Sequence, residues 1–262
     1  MKNQWAVILG ASSGFGEATS LELAKHGMHI CGVHLDRKTT LPNVERIVGQ
    51  IRAAGSQAEY FNVNAADPLK RKEVLDRLQA LTQQTQSSVK VLFHSLAFGT
   101  LKPYITEPPD DALTQPQMEM TLDVMAHSLV YWTQELVARK LMRQGGKIFA
   151  MTSSGGTRVW HSYGAVSAAK AALESHVRQL ALELAPLGIT ANTIRAGVTD
   201  TPALRKIPGN EEMMKFSTMR NPFHRLTTPP DVAQAIASLC NSGTHWVTGN
   251  VIGVDGGEDI VG

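Results

Sequence analysis

The chain has 262 residues, with 25 Lys and Arg against 23 Asp and Glu for a formal net charge of +2, and 2 Cys. A hydrophobic share of 43% and a charged share of 18% exclude a disordered chain, and two cysteines are too few for a disulfide scaffold. The near-neutral balance gives no basic field for nucleic acid, and the apolar runs are too short and interrupted to span a bilayer, so neither is expected as a partner. In chain order, strands are expected over Trp5–Leu9, 28–33, 58–63, Val89–His94, 147–151, 189–194 and 250–254. Several are apolar on both faces, as in a parallel sheet covered by helices on each side. Leu41-Pro42 opens a helix with Pro in its first turn, and Asp67-Pro68 opens another with Asp as N-cap. Longer helical patterns run over 117–143, ending at Gly145-Gly146, and over 163–184, ending near Pro186 and Gly188. A last helix starts at Asp231, behind Pro229-Pro230, and runs to about Cys240.

Strand–helix alternation without a linker predicts a single α/β domain over 1–262. Its architecture is a doubly wound Rossmann-type fold, with a seven-stranded parallel sheet flanked by helices. The longest irregular stretch, 197–230, is expected to be functional or mobile, with a short helix over 211–216. Met213, Met214, Phe216, Met219 and Phe223 crowd this stretch and suit either a lid over an acyl chain or a small helix packed on the body. The start enters an apolar strand at once rather than a leader, and Cys31 and Cys240 read as buried free thiols. A reducing cytoplasm is therefore expected.

Residues 9–16, Leu9-Gly10-Ala11-Ser12-Ser13-Gly14-Phe15-Gly16, follow the first strand and open a helix. Gly10, Gly14 and Gly16 stand where a dinucleotide loop needs residues without a Cβ, and the helix N-terminus offers free N–H groups to a pyrophosphate. The same residues match G-x-S-x-G, the nucleophile elbow of hydrolases. That elbow requires earlier strands in the sheet, and its acid and His candidates, Asp255 and His245, come in the wrong order. The nine His form no HExxH or close ligand cluster, so no metal is expected. Tyr163 and Lys170 are seven apart, about two helical turns or about 10.5 Å of rise, and project from nearly one face. A phenol can donate a proton there, with an ammonium to lower its pKa and hold a ribose.

With the glycine loop, Ser153, Tyr163 and Lys170, four further features occur in order: Ala196-Gly197, Thr201, Val247-Thr248-Gly249 and Val254-Asp255-Gly256-Gly257. On these residues the chain resembles the short-chain dehydrogenase/reductase family along nearly its whole length. Most members have Tyr four residues before Lys, and here that position is Val166. Six residues between Tyr and Lys resemble the divergent branch, the enoyl-acyl-carrier-protein reductases of fatty acid synthesis. Phe93-His94-Ser95-Leu96-Ala97 and the stretch 123–128, with Met125 where most relatives have a catalytic Asn, are also similar to that branch. The stretch 199–231 is most like its NADPH-using, ketoreductase-like subgroup. The branch's commoner members carry a second Tyr at the position of Ser153, which is also where ketoreductases place a carbonyl-binding Ser.

The resemblance implies reduction of an enoyl thioester, with the substrate either a small molecule or carrier-protein-bound, and a homotetramer. Carbonyl reduction by the same family and non-catalytic dinucleotide binding are the alternatives. It further implies Tyr163 as the hydroxyl aimed at the thioester oxygen, Lys170 on the nicotinamide ribose, and Ser153 as a second hydroxyl. The cofactor residues it implies are Gly10, Ser12, Ser13, Gly14, Phe15, Gly16, Asn62, Val63, Ser95, Leu96, Ala97, Lys170, Ala196, Gly197, Thr199 and Thr201. By register His34 takes the place of the ribose-binding acid, Asp36 lies slightly beyond, and Arg37 and Lys38 can meet a 2′-phosphate. NADP(H) is therefore expected over NAD(H). His94 and His161 lie near these residues and are given no catalytic role.

Overall fold

A computed structural model describes residues 1–261. Seven strands form one parallel sheet: β1 (Trp5–Leu9), β2 (His29–His34), β3 (Ala58–Asn62), β4 (Val89–His94), β5 (Met142–Thr152), β6 (Thr190–Ala196) and β7 (Val251–Val254). Their order is β3-β2-β1-β4-β5-β6-β7. The helices are α1 (Gly14–Lys25), α2 (Leu41–Ala53), α3 (Pro68–Gln84), α4 (Gln115–Leu122), α5 (Ser128–Ala138), α6 (Gly164–Leu184), α7 (Asn210–Arg220) and α8 (Pro229–Leu239). β1 shows why the sheet is covered twice. Trp5, Val7 and Leu9 join the core under α3, α5 and α6, while Ala6 and Ile8 join the core under α1, α2 and α8. All five are fully buried, so neither face of the strand can meet water.

The helix starts follow local chemistry. Asp67 accepts from the N–H groups of Leu69 and Lys70 at 2.8 and 3.1 Å, and Thr228 and Asp231 close a capping box on α8. The expected helix over 117–143 is corrected: α4 and α5 are joined by a π-helical turn at Asp123–His127, and the helix ends at Ala138. Lys140 takes the left-handed conformation just beyond, and β5 begins at Met142. Leu141 and Met142 are apolar in either pattern. Pairing with β4 decides for the strand, with Val89 against Met142 and then Val91 against Lys147. Gly145-Gly146, read as a helix stop, instead lie in that irregular part of β5, where the register shifts. The stretch 197–230 carries the eleven-residue α7 rather than a short helix over 211–216. Cys31 and Cys240 are buried free thiols as expected, and burial pushes the Cys240 thiol up to about 12.

Trp132 of α5 is fully buried and its Nε1 donates to Ala65 O at 2.8 Å, tying α5 to the loop before α3. Trp132→Ala removes both the ring and the bond, and is expected to destabilise the fold by about 3–5 kcal/mol, read from the shift of the urea unfolding midpoint.

Candidate active site

The strand order reverses between β1 and β4, and the chain leaves both strands at the same edge of the sheet. A crevice at the carboxyl ends of the strands follows from that reversal. Two backbone bonds shape it: Ser95 N–H donates to Leu9 O, and Gly10 N–H to Val33 O, both at 2.8 Å. Gly10 has a φ of +88°, and a Cβ there would lie 2.5 Å from Ser95 O. A Cβ on Gly16 would lie 2.0 Å from Gly10 O. The loop must therefore be bare of side chains at both ends for α1 to approach β1. Ser13, extended at the cap of α1, makes no side-chain bond to the first turn, so the first-turn N–H groups are left to the crevice. Thr201 comes from the far side of the sheet and packs 3.4 Å from where a Gly14 Cβ would stand. A cradle of bare backbone at a helix N-terminus fits a dinucleotide pyrophosphate.

At the end of β2, His34, given the ribose-acid place by register, is buried with its Nδ1 2.9 Å from Asp36 Oδ2. The other Asp36 oxygen accepts from Thr40 Oγ1 at 2.7 Å. Asn62 at the end of β3 closes a reciprocal pair, accepting from Asp36 N–H at 2.9 Å and donating to Asp36 O at 3.0 Å. Burial works against the charged form of Asp36. Hydrogen bonding by the Ser12 hydroxyl, Thr40 and His34 outweighs it and holds the carboxyl below its usual pKa. Arg37 and Lys38 are exposed and form no ion pair among the described residues. Val63 N–H is used by His34 O at 2.8 Å.

Of the residues expected to carry the chemistry, Tyr163 contacts Ser153, and Lys170 bonds to the strand end two residues before Ser153. Tyr163 directly precedes α6, its ring packed over Gly155, where a Cβ would fall 2.5 Å from Tyr163 Cε1. Tyr163 Oη lies 3.4 Å from Ser153 Oγ, and Lys170 Nζ, 5% exposed as a residue, donates to Met151 O at 2.6 Å. Burial raises the pKa of Tyr163, against the Ser153 hydrogen bond, so the phenol stays protonated at neutral pH. Burial lowers that of Lys170 to about 8, while Glu174 opposes the fall. The two positions where most relatives carry Tyr and Asn hold Val166 and Met125, and both belong to the core. A Cβ on Gly99 would come within 3 Å of the side chains of both, so they close on the same spot. His94 is fully buried, its Nε2 2.9 Å from Ser128 Oγ. Burial, then the Lys170 charge, lowers its pKa to about 3, which leaves it neutral.

On the substrate side, a cleft of about 440 Å³ opens beside Tyr163, walled by Tyr104, Val159, Trp160, His161 and Lys102. Trp160 Nε1 donates to Pro208 O at 2.9 Å and so ties the segment before Tyr163 to the turn that starts α7. Of α7 only Ser217 is buried, while Phe216 and Met219 are exposed, so this helix is not a packed part of the body. After β6, Thr199 Oγ1 donates to Gly197 O at 2.9 Å and Glu258 Oε2 accepts from Val198 N–H at 3.1 Å. Ala196 ends β6, and Ser95, Leu96 and Ala97 directly follow β4. Trp160, Tyr104, Glu174 and Glu258 were not singled out from the sequence. Only the fold brings them to the site, and no local pattern marks them. Among the described residues no cluster of three His, Cys, Asp or Glu could hold a metal, and no helix is long and apolar enough to cross a membrane.

Residues 10–258 match the family described as Enoyl-(Acyl carrier protein) reductase. The chain is 29% identical over 270 residues to 1-cyclohexenylcarbonyl-CoA reductase of Streptomyces collinus, covering 99% of this chain and 88% of that protein. It is 26% identical over 259 residues to 3-oxoacyl-[acyl-carrier-protein] reductase of Thermotoga maritima, covering 98% of each. Among solved structures it is similar to the NADH-dependent enoyl-[acyl-carrier-protein] reductase of Aquifex aeolicus, with a TM-score of 0.83, 25% identity, and coverage of 100% of this chain and 98% of that one.

The buried ammonium of Lys170 gives a pH dependence with a definite sign. A lysine is charged below its pKa, so any binding that needs this cation is present below about 8 and is lost as the pH rises through it. Fluorescence titration of NADPH against pH is expected to show that alkaline limb in the wild type and a flat profile in Lys170→Met.

Proposed function

The chain belongs to the short-chain dehydrogenase/reductase family, in its enoyl-acyl-carrier-protein-reductase-like branch, and from that premise we propose that it reduces the carbon–carbon double bond of an enoyl thioester with NADPH. One observation carries the reading. Tyr163 and Lys170 converge on adjacent groups at the end of β5, while Val166 and Met125 are sealed in the apolar core. The tyrosine with six residues before the lysine is thus the hydroxyl that faces the crevice.

When bound, a nicotinamide dinucleotide would supply the hydride for the β-carbon of the substrate. The bare loop Gly10–Gly16 and the α1 N-terminus would hold its pyrophosphate, Lys170 the nicotinamide ribose, and Gly197 and Thr199 the nicotinamide wall. Tyr163 Oη would donate a hydrogen bond to the thioester oxygen, where negative charge accumulates as hydride adds to the β-carbon, and the resulting enolate would take a proton from solvent at its α-carbon. Its raised pKa keeps the donor proton in place. Ser153 Oγ, 3.4 Å from that hydroxyl, adds a second polar group to the same corner. Thioester carriage by an acyl carrier protein or by coenzyme A suits the open cleft over Tyr163, with Lys102 at its rim.

NADPH is favoured by the end of β2. Arg37 and Lys38 stand exposed there as two cations able to meet a 2′-phosphate, next to an Asp36 whose oxygens already contact His34 and Thr40. A second reading, reduction of a carbonyl, is favoured by the Ser153–Tyr163 contact, which would direct two hydroxyls at one ketone oxygen.

Following NADPH and NADH absorbance with crotonyl and with acetoacetyl thioesters separates these readings. Oxidation with the crotonyl substrate is expected. Oxidation with acetoacetyl alone would replace the enoyl assignment by the carbonyl one, and none with either would point to a binding protein. Tyr163→Phe is expected to lower kcat by about 10²–10³ with little change in NADPH affinity, measured by steady-state kinetics. Replacing Arg37 and Lys38 by Ala together should raise the KM for NADPH and leave that for NADH in place. An unchanged NADPH value would remove the 2′-phosphate assignment.

A further inference from the structure

Three consecutive residues at the end of β5 are each engaged by a side chain from α6 or from the residue that precedes it. Met151 O accepts from Lys170 Nζ at 2.6 Å, Thr152 Oγ1 donates to Glu174 Oε1 at 2.6 Å, and Ser153 Oγ lies 3.4 Å from Tyr163 Oη. The first and third contacts involve the groups assigned to the chemistry. The middle one does not, and it needs a reason.

Glu174 follows Lys170 by four residues on α6, so the two side chains are neighbours on one face. The ammonium is buried, and buried charges are paired or else give up their charge. Its hydrogen-bond acceptor, Met151 O, is a neutral carbonyl. Among the groups packed around it, His94 from β4 is neutral, and His127 from the π-helical turn is turned to His176, Nδ1 to Nε2 at 3.0 Å. Tyr163 is a protonated phenol. The carboxylate that acts on the ammonium is that of Glu174, one helical turn along α6 and outside direct ion-pair distance. Thr152 holds it in place, and a Cβ on Gly156 would stand 3.4 Å from Glu174 Oε1 and 3.5 Å from Lys170 Cβ, so bare backbone lies over both side chains.

We propose that Glu174 is a positioning residue of this site: its carboxylate is the counter-charge of the buried Lys170 ammonium, and its bond to Thr152 fixes the strand end from which Ser153 meets Tyr163. The inference rests on the reading of Lys170 as a dinucleotide-binding cation. Burial alone drives Lys170 towards its neutral form, and the carboxylate opposes that, so removing it lets the lysine lose its proton at lower pH.

The test compares wild type, Glu174→Gln, Thr152→Val, Thr152→Ser and Lys170→Met by fluorescence titration of NADPH across pH, with thermal melts to establish that each is folded. Loss of the opposing charge moves the alkaline limb down by about one pH unit, read as about tenfold weaker NADPH binding on the limb. That displacement is expected in Glu174→Gln, a smaller one in Thr152→Val, and the wild-type limb in Thr152→Ser, which keeps the hydroxyl. A general loss of packing would lower affinity at every pH without moving the limb. If Glu174→Gln does not fold, the contrast of Thr152→Val with Thr152→Ser decides. An unmoved limb in the folded variants, with Lys170→Met flat as expected, overturns the role of Glu174 alone. A wild type that matches Lys170→Met overturns the reading of Lys170 and the inference with it.

Discussion

The structure buries a lysine against the end of a strand. Lys170 lies under the crevice, bonded to Met151 O. An ammonium in such a place needs a fixed acceptor and an opposing charge to remain an ammonium. The acceptor lies at the junction of β5 and α6, where Thr152 also bonds to Glu174 and Ser153 contacts Tyr163. Catalytic geometry and charge burial are therefore parts of one local structure. The junction is stiff because the strand end is bonded to α6 at successive residues.

The second constraint is steric. The crevice exists because the order of strands reverses between β1 and β4, and it can receive a phosphate because the backbone there carries no side chains. Gly10 touches the chain leaving β4, Gly16 touches Gly10, and Gly197 would collide with Thr227 and Glu258 if it carried a Cβ. These approaches come from three separate parts of the chain. Together they let the loop after β1 and the loop after β6 face each other, with Thr201 over Gly14.

Departures from the commoner family pattern have a packing explanation. Val166 and Met125 do not leave polar gaps where relatives have Tyr and Asn, since they fill one apolar volume together with the bare backbone at Gly99. His127 of the π-helical turn that carries Met125 meets His176, and Ser128, which follows it, meets His94. At β2 the positions are likewise redistributed. His34 withdraws into the interior and Asp36 is held by three neighbours, which leaves the cationic residues 37 and 38 at the surface.

The sequence by itself determined the fold class, the sheet's seven strands to within a few residues in most cases, the glycine loop, and the Tyr163–Lys170 pair. Each is written in a local pattern: apolar runs without a polar face, glycines where a Cβ would collide, and a spacing of two helical turns. It did not determine where α5 ends, because Leu141 and Met142 suit a helix or a strand equally and only pairing with β4 selects the strand. Nor did it decide the side to which His34 turns, or that α7 runs through Asn210–Arg220 with a largely uncovered surface. Glu174, Thr152 and Trp160 carry no motif, and their partners lie 22 to 48 residues away in the chain. Such contacts depend on how the sheet and its crossover helices are assembled. Burial of one charge and the bonds that compensate it are properties of that assembly, which no stretch of sequence contains.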